Sequence, residues 1–131
     1  MHLLTGEDNM KSEKGQSLVE TALMVPILLF FLFGIVDFGR LLYTILTLDH
    51  AGREAARLAS VHSSNAVIEA RANYYITGLK LINISPPAEA NRKTGTEVEI
   101  QLKYDFNFIT PLADSIVSPM ELSNTTVMRV E

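Results

Sequence analysis

The sequence predicts an α+β fold: a long N-terminal membrane-spanning helix packed on a small antiparallel sheet, with one additional helix. Three observations predict it. Residues 21–36, TALMVPILLFFLFGIV, carry no charge. Apolar residues at i, i+3, i+4 spacing continue beyond that run to about residue 61. Further on, Val98, Ile100, Leu102, Tyr104, Phe106 and Phe108 alternate with Glu97, Glu99, Gln101, Lys103, Asp105 and Asn107, the period of a strand with one buried and one wet face. The chain has 131 residues, 47% of them apolar. Its positive mean hydropathy describes the uncharged segment. The part beyond residue 61 has the composition of a small soluble domain with a modest core.

Taken in order, residues 1–15, MHLLTGEDNMKSEKG, are polar and read as an irregular or removed leader, with Met10 as an alternative start. As a helix, Thr21 to Val36 spans roughly 24 Å, whereas a bilayer core needs ~30 Å, or about 20 residues. Beginning at Ser17 supplies the length, so the span reads as about 17–37 and takes in Glu20. Two roles are open for Glu20. It is an interfacial carboxylate that snorkels, or a charge kept inside the span for function, since such a charge is costly. A secretory signal peptide is disfavoured, because the run continues as DFGRLLYTILTL without an A-x-A-like site. Pro26 lacks an N–H and crowds the carbonyl of Ala22. The resulting kink is a tolerated one or a soft point in the span.

A single helix over 16–61 is ~69 Å long, so its C-terminal half projects from the bilayer or packs on a domain. Phe38, Leu41, Leu42, Ile45, Leu48, Gly52, Ala55, Ala56 and Ala59 form its apolar stripe, and Asp37, Arg40, Thr44, Thr47, Glu54 and Arg57 fall on other faces. Asp37 with Arg40, Asp49 with Arg53, and Glu54 with Arg57 are spaced for ion pairs, which are solvated or reach a neighbouring subunit. Ala51/Ala55/Ala59 and Gly52/Ala56/Ser60 are small-xxx-small rows that let the helix approach its own sheet or another helix closely.

His62 to Asn65 interrupt the helix, with Ser64 or Asn65 as N-cap. A second helix is expected over 66–79. A short strand, LINIS at 81–85, stops at Pro86 and Pro87, and Asn91–Gly95 is a turn. The alternating strand comes next. Its Phe106 and Phe108 are core aromatics or a binding face. Residues 109–119 read as a loop that holds at most a helical turn, and a last strand at about 121–130 closes a minimal three-stranded α+β domain.

Composition excludes several function classes. Net charge is −4 and no basic stripe exists to replace counterions, which argues against nucleic acid as a partner. The absence of Cys removes disulfides, thiolate zinc ligands and a thiol nucleophile. His2, His50 and His62 have no ligand spacing. The carboxylates have no His or metal partner set. The reading is therefore of a protein that is not an enzyme, with no catalytic residues, no metal and no cofactor.

The junction before the apolar run is the informative segment. A short leader with Lys11 and Lys14 ends in Gly15, and Gln16, Ser17, Leu18, Val19 and Glu20 lead into the uncharged residues. This resembles a type IV prepilin signal, in which a prepilin peptidase cuts after the Gly on the cytoplasmic side. The longer stretch has Gly15, Gln16, Val19, Glu20, Pro26, Asp37, Gly39, Arg40, Ala51, Arg53, Glu54, Ala55, Ala56 and Arg57 in order. It resembles the TadE-like family, minor pseudopilins of the tight-adherence (Flp-type) pilus systems. The resemblance covers residues 15–61.

It implies a pilin-like fold in three parts: a leader at 1–15, a long helix at 16–61 and an extracytoplasmic domain at 62–131. Cleavage would fall between Gly15 and Gln16, and Glu20, Pro26, Asp37, Arg40, Arg53, Glu54 and Arg57 would serve subunit assembly. The implied setting is a bacterial inner membrane, crossed once with the N-terminus cytoplasmic, and a pilus that takes up the mature chain. The implied partners are membrane lipid, the prepilin peptidase, other pilins or pseudopilins and the pilus assembly platform. Positive-charge counting favours the opposite orientation, since Arg40, Arg53 and Arg57 outnumber Lys11 and Lys14. The second reading of the chain is an uncleaved single-span anchor that presents 62–131 as a binding module.

Overall fold

The computed structural model describes the backbone of residues 5–79 and 81–131 and the side chains of 13–79 and 82–131. In chain order the elements are α1 (Thr5–Ser60), α2 (Asn65–Tyr75), β1 (Leu81–Ser85), β2 (Glu97–Phe106), α3 (Pro111–Val117) and β3 (Met120–Arg129), with a short 3₁₀ turn at Glu89–Asn91. The sheet is antiparallel with order β1-β2-β3. This is the expected α+β architecture, a long apolar N-terminal helix beside a small antiparallel sheet.

α1 is one helix of 56 residues, and it runs unbroken through Pro26. It also continues back through Gly15 to Thr5, so the expected irregular leader is helical over its described part. Polar residues such as Glu7, Lys11 and Glu13 are good or tolerable helix formers, and nothing between Thr5 and Gly15 breaks the pattern. The first four residues lie outside the described residues, as do the side chains of Met10 and Lys11.

The helix stops because His62 adopts a left-handed backbone, φ 63°. The N–H of Ser63 then reaches the carbonyl of Leu58 at 3.1 Å, and that of His62 reaches Ala59 at 3.3 Å. These two bonds are a Schellman stop with His where Gly is usual. α2 begins immediately after. Ser64 stands at its N-cap without a side-chain bond, and Glu89 Oε1 instead accepts the N–H of Asn65 at 2.9 Å. α2 ends at Tyr75, earlier than the expected 79. Gly78, at φ 90°, turns the chain toward β1.

The core gathers Leu48, Ala51, Ala55, Ala56 and Ala59 of α1, Ile68 and Ala72 of α2, and Ile84, Val98, Ile100, Leu102, Phe106 and Leu122 of the sheet. The even-numbered residues of β2 face α1, as the alternation predicts. Phe106 is buried and meets Phe108 edge-on at 5.1 Å, so the aromatic pair is core. The fully buried part of the apolar stripe of α1 begins at Leu48, and Leu41, partly buried, packs against the core ahead of it. Phe38, Leu42 and Ile45 stand exposed, because at about 100° per residue they share a face turned away from Asp37, Leu41 and Leu48, which meet the domain.

The small-residue rows are buried within the chain. A Cβ added at Gly52 would collide with Asn124 Oδ1 and lie 2.7 Å from Thr126 Oγ1. Gly52 therefore sets how closely helix and β3 approach, and two polar side chains of β3 point inward at that place. Asn124 bonds to Asp49 at 3.3 Å, and Thr126 to Asn124 at 2.9 Å, so both are satisfied.

One buried cation was not legible. Arg92, 1% exposed, lies in the connection between β1 and β2. It donates to the carbonyl of Ser63 at 3.1 Å and to Asn65 Oδ1, while Asn65 Nδ2 donates to the carbonyl of Pro87 at 2.9 Å. The corner between α1 and α2 is thereby tied to the far end of the sheet. The last residue adds to this: Glu131 N–H reaches the carbonyl of Ser60 at 3.3 Å.

Candidate functional site

The uncharged run ends at Asp37, and there the helix is tied to the domain. The Asp37 side chain is nearly fully buried, whereas the sequence pattern places it on an outer face. Oδ1 accepts the N–H of Ile109 at 2.9 Å. Oδ2 accepts the N–H of Thr110 at 2.8 Å and its hydroxyl at 2.6 Å. Arg40, one turn on, donates to Oδ1 at 3.3 Å and supplies the counter-charge. Both carboxylate oxygens are thus used, by bonds of the charge-assisted kind that are about twice as strong as neutral ones. Arg40 also donates to the carbonyl of Asn107 at 3.4 Å and lies over the Phe106 ring, 5.2 Å from its centre.

Thr110 is the partner that sequence reasoning missed. It stands at the N-cap of α3, with Pro111 in the first turn, and makes no side-chain cap bond of its own. Its hydroxyl is turned to Asp37, 73 positions earlier. A Thr-Pro pair is a readable helix start, but no local signal connects it to a carboxylate on another element. The junction thus brings together Asp37 and Arg40 of the candidate site residues with Asn107, Ile109 and Thr110 of the domain. Both oxygens of Asp37 are engaged inside the chain, so this carboxylate is not the solvated one that an exposed i, i+3 pair implies.

The other expected pairs form along the surface of α1. Arg53 meets Asp49 at 2.5 Å, and Arg57 meets Glu54 at 3.1 Å. The hydrogen bond from Arg57 holds the Glu54 carboxyl below its usual range. Arg53 and Arg57 are largely exposed and stay accessible to a second molecule.

Gly15, Gln16, Glu20 and Pro26 lie on the N-terminal part of α1, away from the domain core. All except Pro26 have only the helix around them: a Cβ on Gly15 would meet nothing within 4 Å, and Glu20 is exposed. This part of α1 is long and apolar enough to cross a membrane, and none of its most apolar stretch is buried by the rest of the chain. Leu23, Phe31 and Ile35 are each about two-thirds exposed, an arrangement that water does not favour and that lipid or another helix would cover. Among the described residues, no three His, Asp or Glu side chains gather as metal ligands.

Residues 15–57 match the model of the family described as TadE-like protein. The matched stretch begins at Gly15 and ends at Arg57, so it covers the exposed apolar helix, the Asp37–Arg40 pair and most of the small-residue face, and leaves out the sheet. No curated protein and no solved structure matches the chain.

Proposed function

We propose, from the TadE-like match over residues 15–57, that the chain is a minor pilin or pseudopilin of a tight-adherence (Flp-type) pilus. It is made as a membrane precursor, cut by a prepilin peptidase between Gly15 and Gln16, and needed for pilus assembly, adherence and biofilm growth. The observation that carries this reading is the order Gly15, Gln16, Val19, Glu20 set directly before sixteen uncharged residues on a helix with no covering from its own domain. The protein is a substrate of the peptidase and has no enzymatic role. Its N-terminus is cytoplasmic and its domain lies outside the inner membrane. Its partners are lipid first, then other pilins or pseudopilins and the assembly platform.

The test is the N-terminal residue of the mature chain, which should be Gln16. Gly15→Val should leave the precursor uncut, since it places a β-branched side chain where the peptidase accepts none. A mature chain that still carries residues 10–15 would overturn processing and leave the uncleaved, membrane-anchored binding module.

Cutting creates an α-amine on Gln16. Such amines have an ordinary pKa of about 8 and are mostly protonated at neutral pH. Inside a packed bundle that ammonium and the Glu20 carboxylate are each costly unless paired. Glu20→Ala should therefore be inserted and cut normally yet fail to join other pilins, at ~3–5 kcal/mol per lost contact. Membrane level, processing and pilus output measured in one strain decide this. Normal piliation would reduce Glu20 to an interfacial carboxylate.

A further inference from the structure

We propose that the connection between β2 and β3, residues 107–119 with α3 in its middle, lies in the lipid of the leaflet on the domain's side. It would act there as a second membrane contact beside α1. The inference rests on the reading of α1 as a span.

The two ends of the sheet differ in chemistry. The connection at one end, between β1 and β2, carries Glu89, Arg92 and Lys93. The connection at the other end has Asp114 as its single charge and exposes Ile109, Leu112, Ile116 and Val117, with Ile116 79% exposed. On α3, Leu112 and Ile116 are one turn apart and share a face, while Asp114 lies on the far side. Ser118 Oγ bonds to Asn107 Oδ1 at 3.3 Å and draws the two ends of the connection together.

Position says what covers this surface. Thr110 is tied to Asp37, at the point where the uncharged run of α1 ends. The next residue, Pro111, borders an apolar cleft with Pro26, Leu29, Phe30 and Phe33. Those residues stand about 6–17 Å nearer the N-terminus of the rod than Asp37, and half a hydrocarbon core is ~15 Å. The start of α3 is therefore level with the side chains of α1 that face lipid. Leu112 and Ile116 follow Pro111 on the same short helix and stand exposed, so the occupant that this position favours is the bilayer and not water.

The chain has no Cys, so single fluorophores can be placed cleanly. Full-length protein carrying a nitrobenzoxadiazole probe at Ile116→Cys, Phe33→Cys or Glu99→Cys would be reconstituted in phosphatidylcholine–phosphatidylglycerol vesicles. Doxyl-labelled lipid and aqueous iodide then serve as quenchers. The Ile116 and Phe33 probes should be blue-shifted and quenched by doxyl lipid, Ile116 more by a shallow label than by a deep one. The Glu99 probe, on the wet face of β2, should respond to iodide alone. Iodide quenching at Ile116 with lipid quenching at Phe33 overturns this proposal and leaves the span intact. Protection of Ile116 from both quenchers also overturns it, since a second protein copy then covers α3. Loss of lipid quenching at Phe33 overturns the span and this inference together.

Discussion

Asp37→Ala is expected to release from α1 the end of the domain nearest the uncharged run. The substitution leaves the N–H groups of Ile109 and Thr110 without their acceptor in a buried place, at about 1–3 kcal/mol for each unsatisfied group. It also strips Arg40 of its counter-charge, a smaller loss of at most about 1 kcal/mol because that side chain is 45% exposed to water. A small domain has only about 5–15 kcal/mol in total, so the loss is a large share. Asp37→Asn should recover part of it, because one oxygen still accepts while the new amide faces donors. Thr110→Ser keeps the hydroxyl and should be close to the parent. Limited proteolysis of the full chain in detergent, with cut sites mapped, should show new cleavage within 107–119 for the Ala variant first. Unchanged resistance in Asp37→Ala would mean that the carboxylate is not what ties helix to domain.

Leu102→Asp is expected to unfold the domain. Leu102 is fully buried between sheet and helix, and a carboxylate placed there has no partner, at a cost of several kcal/mol. Gln101, its neighbour, points to the other face and pairs across the sheet with Asn83 and Thr125. Gln101→Asp should shift stability by roughly ±0.5 kcal/mol. Thermal melting and protease resistance of the two variants, made in the full chain, should separate them clearly. Equal sensitivity would show that residues 101 and 102 do not face opposite sides of the sheet.

The parts legible in the sequence are those whose signal is local. Six alternations are enough to identify β2 and its buried face, and sixteen uncharged residues are enough to identify the apolar rod. The junction is not local. By periodicity Asp37 is an outward-facing charge, and only the arrival of Thr110 from 73 positions away makes its place a buried one. Phe38, Leu42 and Ile45 illustrate the converse. Their spacing is that of core residues, yet they lie on the side of α1 turned away from the sheet, which meets Arg40 and Leu41 at the same level. Arg92 sits in what reads as a solvent turn, and its burial depends on the carbonyl of Ser63 and the side chain of Asn65 on another element. α3 was half legible: Pro111 and Pro119 mark a loop, but a proline in the first turn is also how helices begin.

The rod holds its domain along one side, and two of the attachments lie well apart. One is the Asp37 tether, and the other is the fully buried face that starts at Leu48, about 17 Å further along. A body fixed to a shaft at one point can swivel about it; fixed at two separated points on one side, it is keyed. The wet face of the sheet therefore points in a set direction around the axis of α1. Torque on the shaft turns the domain with it. Where several such shafts pack side by side, the azimuth of every domain follows from the packing of the shafts alone, with no separate contact needed to orient each head.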